Sequence, residues 1–146
     1  MRPGTPFSFG ILPPTDEDVP MPVFGLPGNP ASSFVTYQIF CRPYLLRLSG
    51  HRRVHRPVLL AEAGETLRSP GHLTHFFRVT LNGDSGFPTA TPAGAQTSGL
   101  VRAQGLAHGL AVLPEGNQEI RKGETVRIIL LDDFGLGGDH PGFLGE

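Results

Sequence analysis

The sequence predicts a strand–loop–helix unit followed by a small antiparallel β-barrel or sandwich. Three observations carry this. The hydrophobic period changes from a short apolar run at residues 23–26 to helical spacing over residues 31–48. A polar, basic, proline-terminated stretch, HRRVHRP at 51–57, then interrupts the pattern and marks a domain boundary. Beyond it every regular segment is short and β-like, and the 20 glycines and 15 prolines of the chain suit many tight connections.

Taken in order, residues 1–20 read as an entering loop with an extended piece at 7–12 and a surface turn at Pro-Pro-Thr-Asp-Glu-Asp. Residues 23–26 lie between prolines and read as a buried strand. In the helix, Phe34, Val35, Ile39, Phe40, Leu45, Leu46 and Leu48 form one apolar stripe. Pro43 lacks an amide hydrogen and clashes with the preceding turn, so the helix kinks or restarts there, and Ser49-Gly50 stops it. Five strands follow at 58–61, 75–81, 87–91, 109–113 and 125–131, with one helical interruption near 100–107. The turn signals NGDSG at 82–86 and PEGN at 114–117 lie between strands, as hairpin connections require. These boundaries give residues 1–52 as a first unit, 53–132 as the β domain, and 133–146 as a Gly-rich flexible tail.

A chain of 146 residues is long enough to bury a core. With 12 basic and 13 acidic residues, it encodes no global attraction to nucleic acid or to an anionic membrane, and basic and aromatic residues are not interleaved as a strand-binding groove requires. Cys41 is the single cysteine and closes no intramolecular disulfide, which suits a reducing cytoplasm. The first twenty residues hold one basic side chain and no apolar stretch of signal-peptide or membrane-span length. A cytoplasmic protein is expected.

The stretch GLPGNPASSF at 25–34 carries the most chemistry. A strand running through a glycine-containing loop into a helix start aims backbone N–H groups and the positive end of the helix dipole at one spot, which attracts anions. Asn29 stands as N-cap, Pro30 as first helical residue, and Ser32 and Ser33 offer hydroxyls. Prolines 27 and 30 fix the backbone before any ligand arrives. The same residues also make a plain, well-capped turn, and no P-loop lysine follows, so both readings stand at this level.

Elsewhere the chemistry is thinner. Arg2, in a Pro-Gly-x-Pro element, is an anion partner or part of a frayed terminus. Arg78 falls on the polar side of an alternating strand, ordinarily a solvated face. Residues 92–99, PAGAQTSG, are small enough for close approach of a ligand or neighbouring domain, with Gln96 and Ser98 as hydrogen-bonding groups, or are simply a loop. The six histidines show no zinc-site spacing with carboxylates. Cys41 lies at the apolar stripe as a packing residue, and no GxSxG element offers a serine nucleophile.

In order and spacing these elements resemble the C-terminal part of the molybdopterin molybdenumtransferases, the MoeA/gephyrin family. MRPGTPFSFG is similar to that family's Lys-Pro-Gly-Lys-Pro element, and VFGLPGNPASSFVTYQIFCRPYL to its strand, GLPGNPVS loop and helix. THFFRVTL resembles its Arg-x-Phe-x-Arg strand, PAGAQTSGLVRAQGLAHGLAVLPEG its Gly-x-Gln-x-Ser loop, helix and strand, and KGETVRIILL its closing strand. The resemblance implies that residues 1–52 are the end of an α/β molybdopterin-binding domain and 53–132 a barrel-like domain. It also implies a reaction: insertion of molybdate into adenylylated molybdopterin with hydrolysis of the adenylate, release of AMP, and magnesium as cofactor. Pro27, Gly28, Asn29, Pro30 and Ser32 would then line the molybdate and molybdopterin pocket, with Arg2, Arg78 and Ser98 as oxyanion contacts.

The sequence also departs from the family pattern. Thr5 and Thr74 stand where the family carries a lysine and an arginine, so two positive charges are lost. The acidic residues that the family uses for magnesium and hydrolysis have no counterpart here, so the chain alone is expected to be catalytically incomplete, a truncated or split MoeA-like protein. Two expectations follow. Either the chain works as part of the transferase with a complementing N-terminal chain or a homodimer partner, or it is a non-catalytic anion- or partner-binding assembly module.

Overall fold

The computed structural model describes residues 3–4, 6–14, 19–83, 86–94 and 107–131. The chain divides into two compact units, Met1–His55 and Arg56–Glu146.

In the first unit, β1 (Ser8–Leu12) pairs antiparallel with β2 (Met21–Gly25), from Ser8↔Gly25 to Leu12↔Met21. The apolar run read as a buried strand therefore has a partner, and it is not buried: β2 alternates between exposed and half-buried, with Val23 43% exposed. Composition cannot separate the two cases, because burial depends on how many layers cover the sheet. Here one face is partly covered, around Phe24. Phe7, Phe9 and Phe24 form an aromatic cluster with Phe40 and Tyr44 of the helical segment, with ring centroids 4.9 Å apart for Phe7–Phe40 and 5.3 Å for Phe24–Tyr44.

The helical segment runs as α1 (Pro30–Thr36), a π-helical turn (Tyr37–Cys41) and α2 (Arg42–Leu48). Pro43, at the start of α2, explains the wide turn. Its ring would strike the carbonyl one α-turn back and it has no N–H to offer, so the ladder expands by one residue and Arg42 N–H bonds to Tyr37 O instead. The stop is a Schellman motif: Gly50, at φ 82°, donates to Arg47 O at 3.1 Å and His51 to Leu46 O at 2.9 Å.

The second unit is a closed five-stranded barrel of β3 (Val58–Ala63), β5 (His75–Asn82), β6 (Thr89–Pro92), β7 (Gly109–Leu113) and β9 (Thr125–Leu130), in the order β3-β6-β5-β7-β9. Its ladders are antiparallel except for the short parallel pairing of β3 with β6. The sequence showed no sign of the small sheet that β4 (Leu67–Arg68) and β8 (Glu119–Ile120) add. Every second residue points inward: Phe77, Val79 and Leu81 from β5, Ala111 and Leu113 from β7, Val126, Ile128 and Leu130 from β9. Five strands leave a narrow lumen, which the small Ala61, Ala63, Ala90 and Ala111 accommodate opposite these larger groups. Apart from Ala107, the helical interruption near residues 100–107 lies outside the described residues, as does the tail at 133–146. Among the described residues, no helix is long and apolar enough to cross a membrane.

Candidate functional site

The loop between β2 and α1 is fixed from within. Asn29, extended at φ −76° and ψ 120°, accepts the Ala31 N–H on Oδ1 at 3.0 Å, and Pro30 opens the helix. The first helical bond, Ser33 N–H to Asn29 O, is 2.9 Å long. The Ser33 hydroxyl lies within hydrogen-bonding reach of both Asn29 O and Pro27 O, so it fastens the loop to the helix rather than facing outward. By residue type Ser33 can serve a bound oxyanion or the first-turn amides; its bonds to backbone carbonyls give it a structural task instead. Thr36 completes the series by donating to Ser32 O at 2.7 Å.

Of the five loop positions expected to line a pocket, Gly28, Asn29 and Pro30 are exposed, while Pro27 and Ser32 are buried. Gly28 is informative. Its backbone is not in the left-handed region, and a Cβ added there meets nothing within 4 Å. Among the described residues neither conformation nor packing requires glycine at this point, and the space in front of its backbone is open. Along the sequence, the stretch between Asp18 and Glu62 holds Arg42, Arg47, Arg52, Arg53 and Arg56 and no acidic residue. A capped helix start with open backbone, in a stretch without carboxylates, favours an anion over a cation.

Arg78 corrects the sequence reading. It was assigned to a solvated strand face, yet it is 2% exposed. The strand alternates as expected, with Phe77 and Val79 inward, but the outer face is covered here too. Phe76 beside it on β5 and Leu110 directly opposite on β7 are both buried, as are Ala93, Ala107 and Leu131. Burial pushes the Arg78 guanidinium below its ordinary pKa by desolvation. A charge held this way is a fixed element of the barrel wall, little screened by solvent. Alternation alone could not reveal this, since it reports the face of a sheet and not what lies on that face.

Cys41 is 4% exposed and its thiol is pushed up by burial, which suits packing. His108 was missed as a structural group: its Nδ1 accepts the Leu81 N–H at 3.1 Å, which leaves any ring proton of the neutral imidazole on Nε2. Arg2 and Ser98, and with them Thr5 and Gln96, lie outside the described residues. The loop residues thus come together in the first unit and Arg78 stands in the second.

The magnesium implied by the family resemblance has no fitting site among the described residues, where no group of three His, Cys, Asp or Glu side chains converges.

Comparison with known proteins places this small closed barrel, with its preceding strand, proline loop and helix, among proteins of molybdenum-cofactor biosynthesis. Residues 61–131 match the family model of the MoeA C-terminal region, domain IV. The molybdopterin molybdenumtransferase of Staphylococcus aureus strain Mu50 is 31% identical over 110 residues, which cover 75% of this chain and 26% of that protein. Molybdopterin molybdenumtransferase 2 of Mycobacterium tuberculosis is 31% identical over 128 residues, 88% of this chain and 30% of that protein. The solved structure of the molybdopterin biosynthesis MoeA protein from Pyrococcus horikoshii superimposes with a TM-score of 0.69 at 29% identity, over 90% of this chain and 30% of that one. The chain belongs to the MoeA family and corresponds to its C-terminal part. It spans 26% to 30% of the length of these relatives.

Proposed function

We propose that this chain is the C-terminal portion of an enzyme that inserts molybdate into adenylylated molybdopterin and releases AMP. The observation that carries this reading is the pre-fixed Pro27–Pro30 loop, whose Gly28 backbone faces open space within an acid-free, arginine-bearing stretch. Molybdate and the phosphates of the pterin adenylate are the substrates, and both are anions. Pro27, Gly28, Asn29, Pro30 and Ser32 shape the cradle; Arg2, Arg78 and Ser98 are candidate oxyanion contacts carried over from the family motifs, and Arg78 could serve only where its buried guanidinium is reached. The rigid loop lowers the entropy lost when an oxyanion binds. Because the described residues hold no carboxylate cluster for magnesium, hydrolysis of the adenylate depends on groups supplied by a complementing N-terminal polypeptide or by a homodimer partner. The cytoplasm, where the lone thiol of Cys41 stays reduced, is the proposed setting.

The test is direct. The isolated chain, given molybdate, magnesium and adenylylated molybdopterin, releases no AMP yet binds molybdate. AMP release by the chain alone would overturn the complementation, and no molybdate binding would overturn the cradle.

A second reading is favoured by the apolar exposure of the first unit, where Ile11, Val19 and Met21 are each more than half exposed. In it the chain is a non-catalytic assembly module that keeps the loop for anion or partner contact. Molybdate binding that persists without AMP release in the presence of the complementing polypeptide would select it.

A further inference from the structure

We propose that Ser33 is a positioning residue of the loop: its hydroxyl holds the Pro27–Gly28 peptide so that the Gly28 N–H is directed outward, as a donor to the oxyanion. This rests on the anion-cradle reading above and adds to it the group that aims the donor. The Ser33 hydroxyl has one hydrogen and two carbonyls within reach, those of Pro27 and Asn29. The Asn29 carbonyl already accepts the Ser33 N–H at 2.9 Å. Pro27 is buried, and among the described residues the donor that reaches its carbonyl is the Ser33 hydroxyl. The hydroxyl hydrogen is therefore assigned to Pro27 O.

One bond to the carbonyl fixes both sides of this peptide. The residue after Pro27 is not proline, so the peptide is trans and planar, with its C=O and N–H pointing in opposite directions. Because the Pro27 carbonyl turns in toward the start of α1, the Gly28 N–H points away from it. Gly28 is exposed, and among the described residues its N–H has no acceptor. The donor is thus a loop amide outside the helix, aimed by a side chain on the helix. Without the hydroxyl the buried carbonyl loses its donor, and the peptide can turn over by coupled rotation about Pro27 ψ and Gly28 φ, since glycine accepts either sign of φ. A peptide turned in this way presents an oxygen where an anion needs a hydrogen.

The experiment compares the full chain with Ser33→Ala, which removes the hydroxyl, and Ser33→Thr, which keeps it. NMR residual dipolar couplings, recorded without any anion, read the direction of the Gly28 N–H against the amides of α1. The Gly28 coupling should change in Ser33→Ala and stay as in the wild type in Ser33→Thr, while the α1 couplings of both variants match the wild type and show that the helix is intact. Calorimetric titration with molybdate should then give at least about tenfold weaker binding in Ser33→Ala, with wild-type affinity restored in Ser33→Thr. An unchanged Gly28 coupling in Ser33→Ala, equal molybdate affinity in that folded variant, or loss of affinity in Ser33→Thr as large as in Ser33→Ala would each overturn the proposal. A wild-type chain that binds no molybdate would overturn the cradle reading, and the donor role of Gly28 with it; the couplings, measured without anion, test the peptide orientation separately.

Discussion

Asn29 and Ala31 are joined by a 3.0 Å bond from the Ala31 N–H to the Asn29 side-chain carbonyl, and this cap sets the shape of the loop that faces open space at Gly28. Replacing Asn29 by Ala removes the cap acceptor. The expected cost is about 1 kcal/mol in unfolding of the first unit, together with weaker molybdate binding as the loop loses its fixed entry into the helix. Denaturant titration monitored at Tyr37 and Tyr44, both in this unit, reads the first effect. A change smaller than a few tenths of a kcal/mol would show that the prolines alone hold the loop.

Gly109 tests the barrel. A Cβ there would lie 2.4 Å from Ile128 Cγ2 and 3.0 Å from Ile129 O, so β7 and β9 approach too closely for any side chain. Gly109→Ala should destabilise the second unit by about 1–3 kcal/mol through overpacking against the buried Ile128 side chain and the Ile129 carbonyl. Thermal unfolding at the wild-type midpoint would disprove so tight a closure.

Arg78→Met separates structure from anion binding. The unbranched apolar side chain fills much of the volume of a residue that is 2% exposed but gives up the guanidinium's interactions, so the barrel should lose about 1–3 kcal/mol and still fold. Molybdate affinity should fall if the guanidinium contacts the anion. Unchanged affinity in a folded Arg78→Met chain would remove Arg78 from the site.

Glu119 gives a pH test. Hydrogen bonds from Arg121 first, and then Arg68, hold its carboxyl below the usual carboxylate range, with N–O distances of 2.9 Å and 3.3 Å. A depressed folded pKa means that the contribution is present above the unfolded value and is lost as pH falls through the folded one. The β4–β8 pairing should therefore loosen only in acid, below the ordinary glutamate range. The group is exposed, so the effect is small and screened by salt. An NMR titration placing the Glu119 midpoint at or above an ordinary glutamate would contradict the ion pairs.

The sequence made much of this fold legible. The helix stop at Ser49-Gly50 and the disturbance at Pro43 follow from local stereochemistry, and strand 109–113 from its apolar run; all appear where expected. Three features stayed hidden because they depend on tertiary surroundings. The restart at Pro43 was legible but not the π turn that leads into it, the β2 run is only half covered, and Arg78 is enclosed on a face that alternation marks as outer. For the site, the capping roles of Asn29 and Pro30 were readable from residue type and spacing. The inward turn of the Ser33 hydroxyl and the openness in front of Gly28 needed coordinates.

Molybdate binding by Gly28→Val is the most direct measurement of the central claim that this loop is an anion cradle. The described residues leave room for a side chain at Gly28, so the variant should fold as the wild type does. Calorimetric titration should then show molybdate bound by the wild type and at least about tenfold weaker binding in Gly28→Val. Equal affinity in the folded variant would contradict the account.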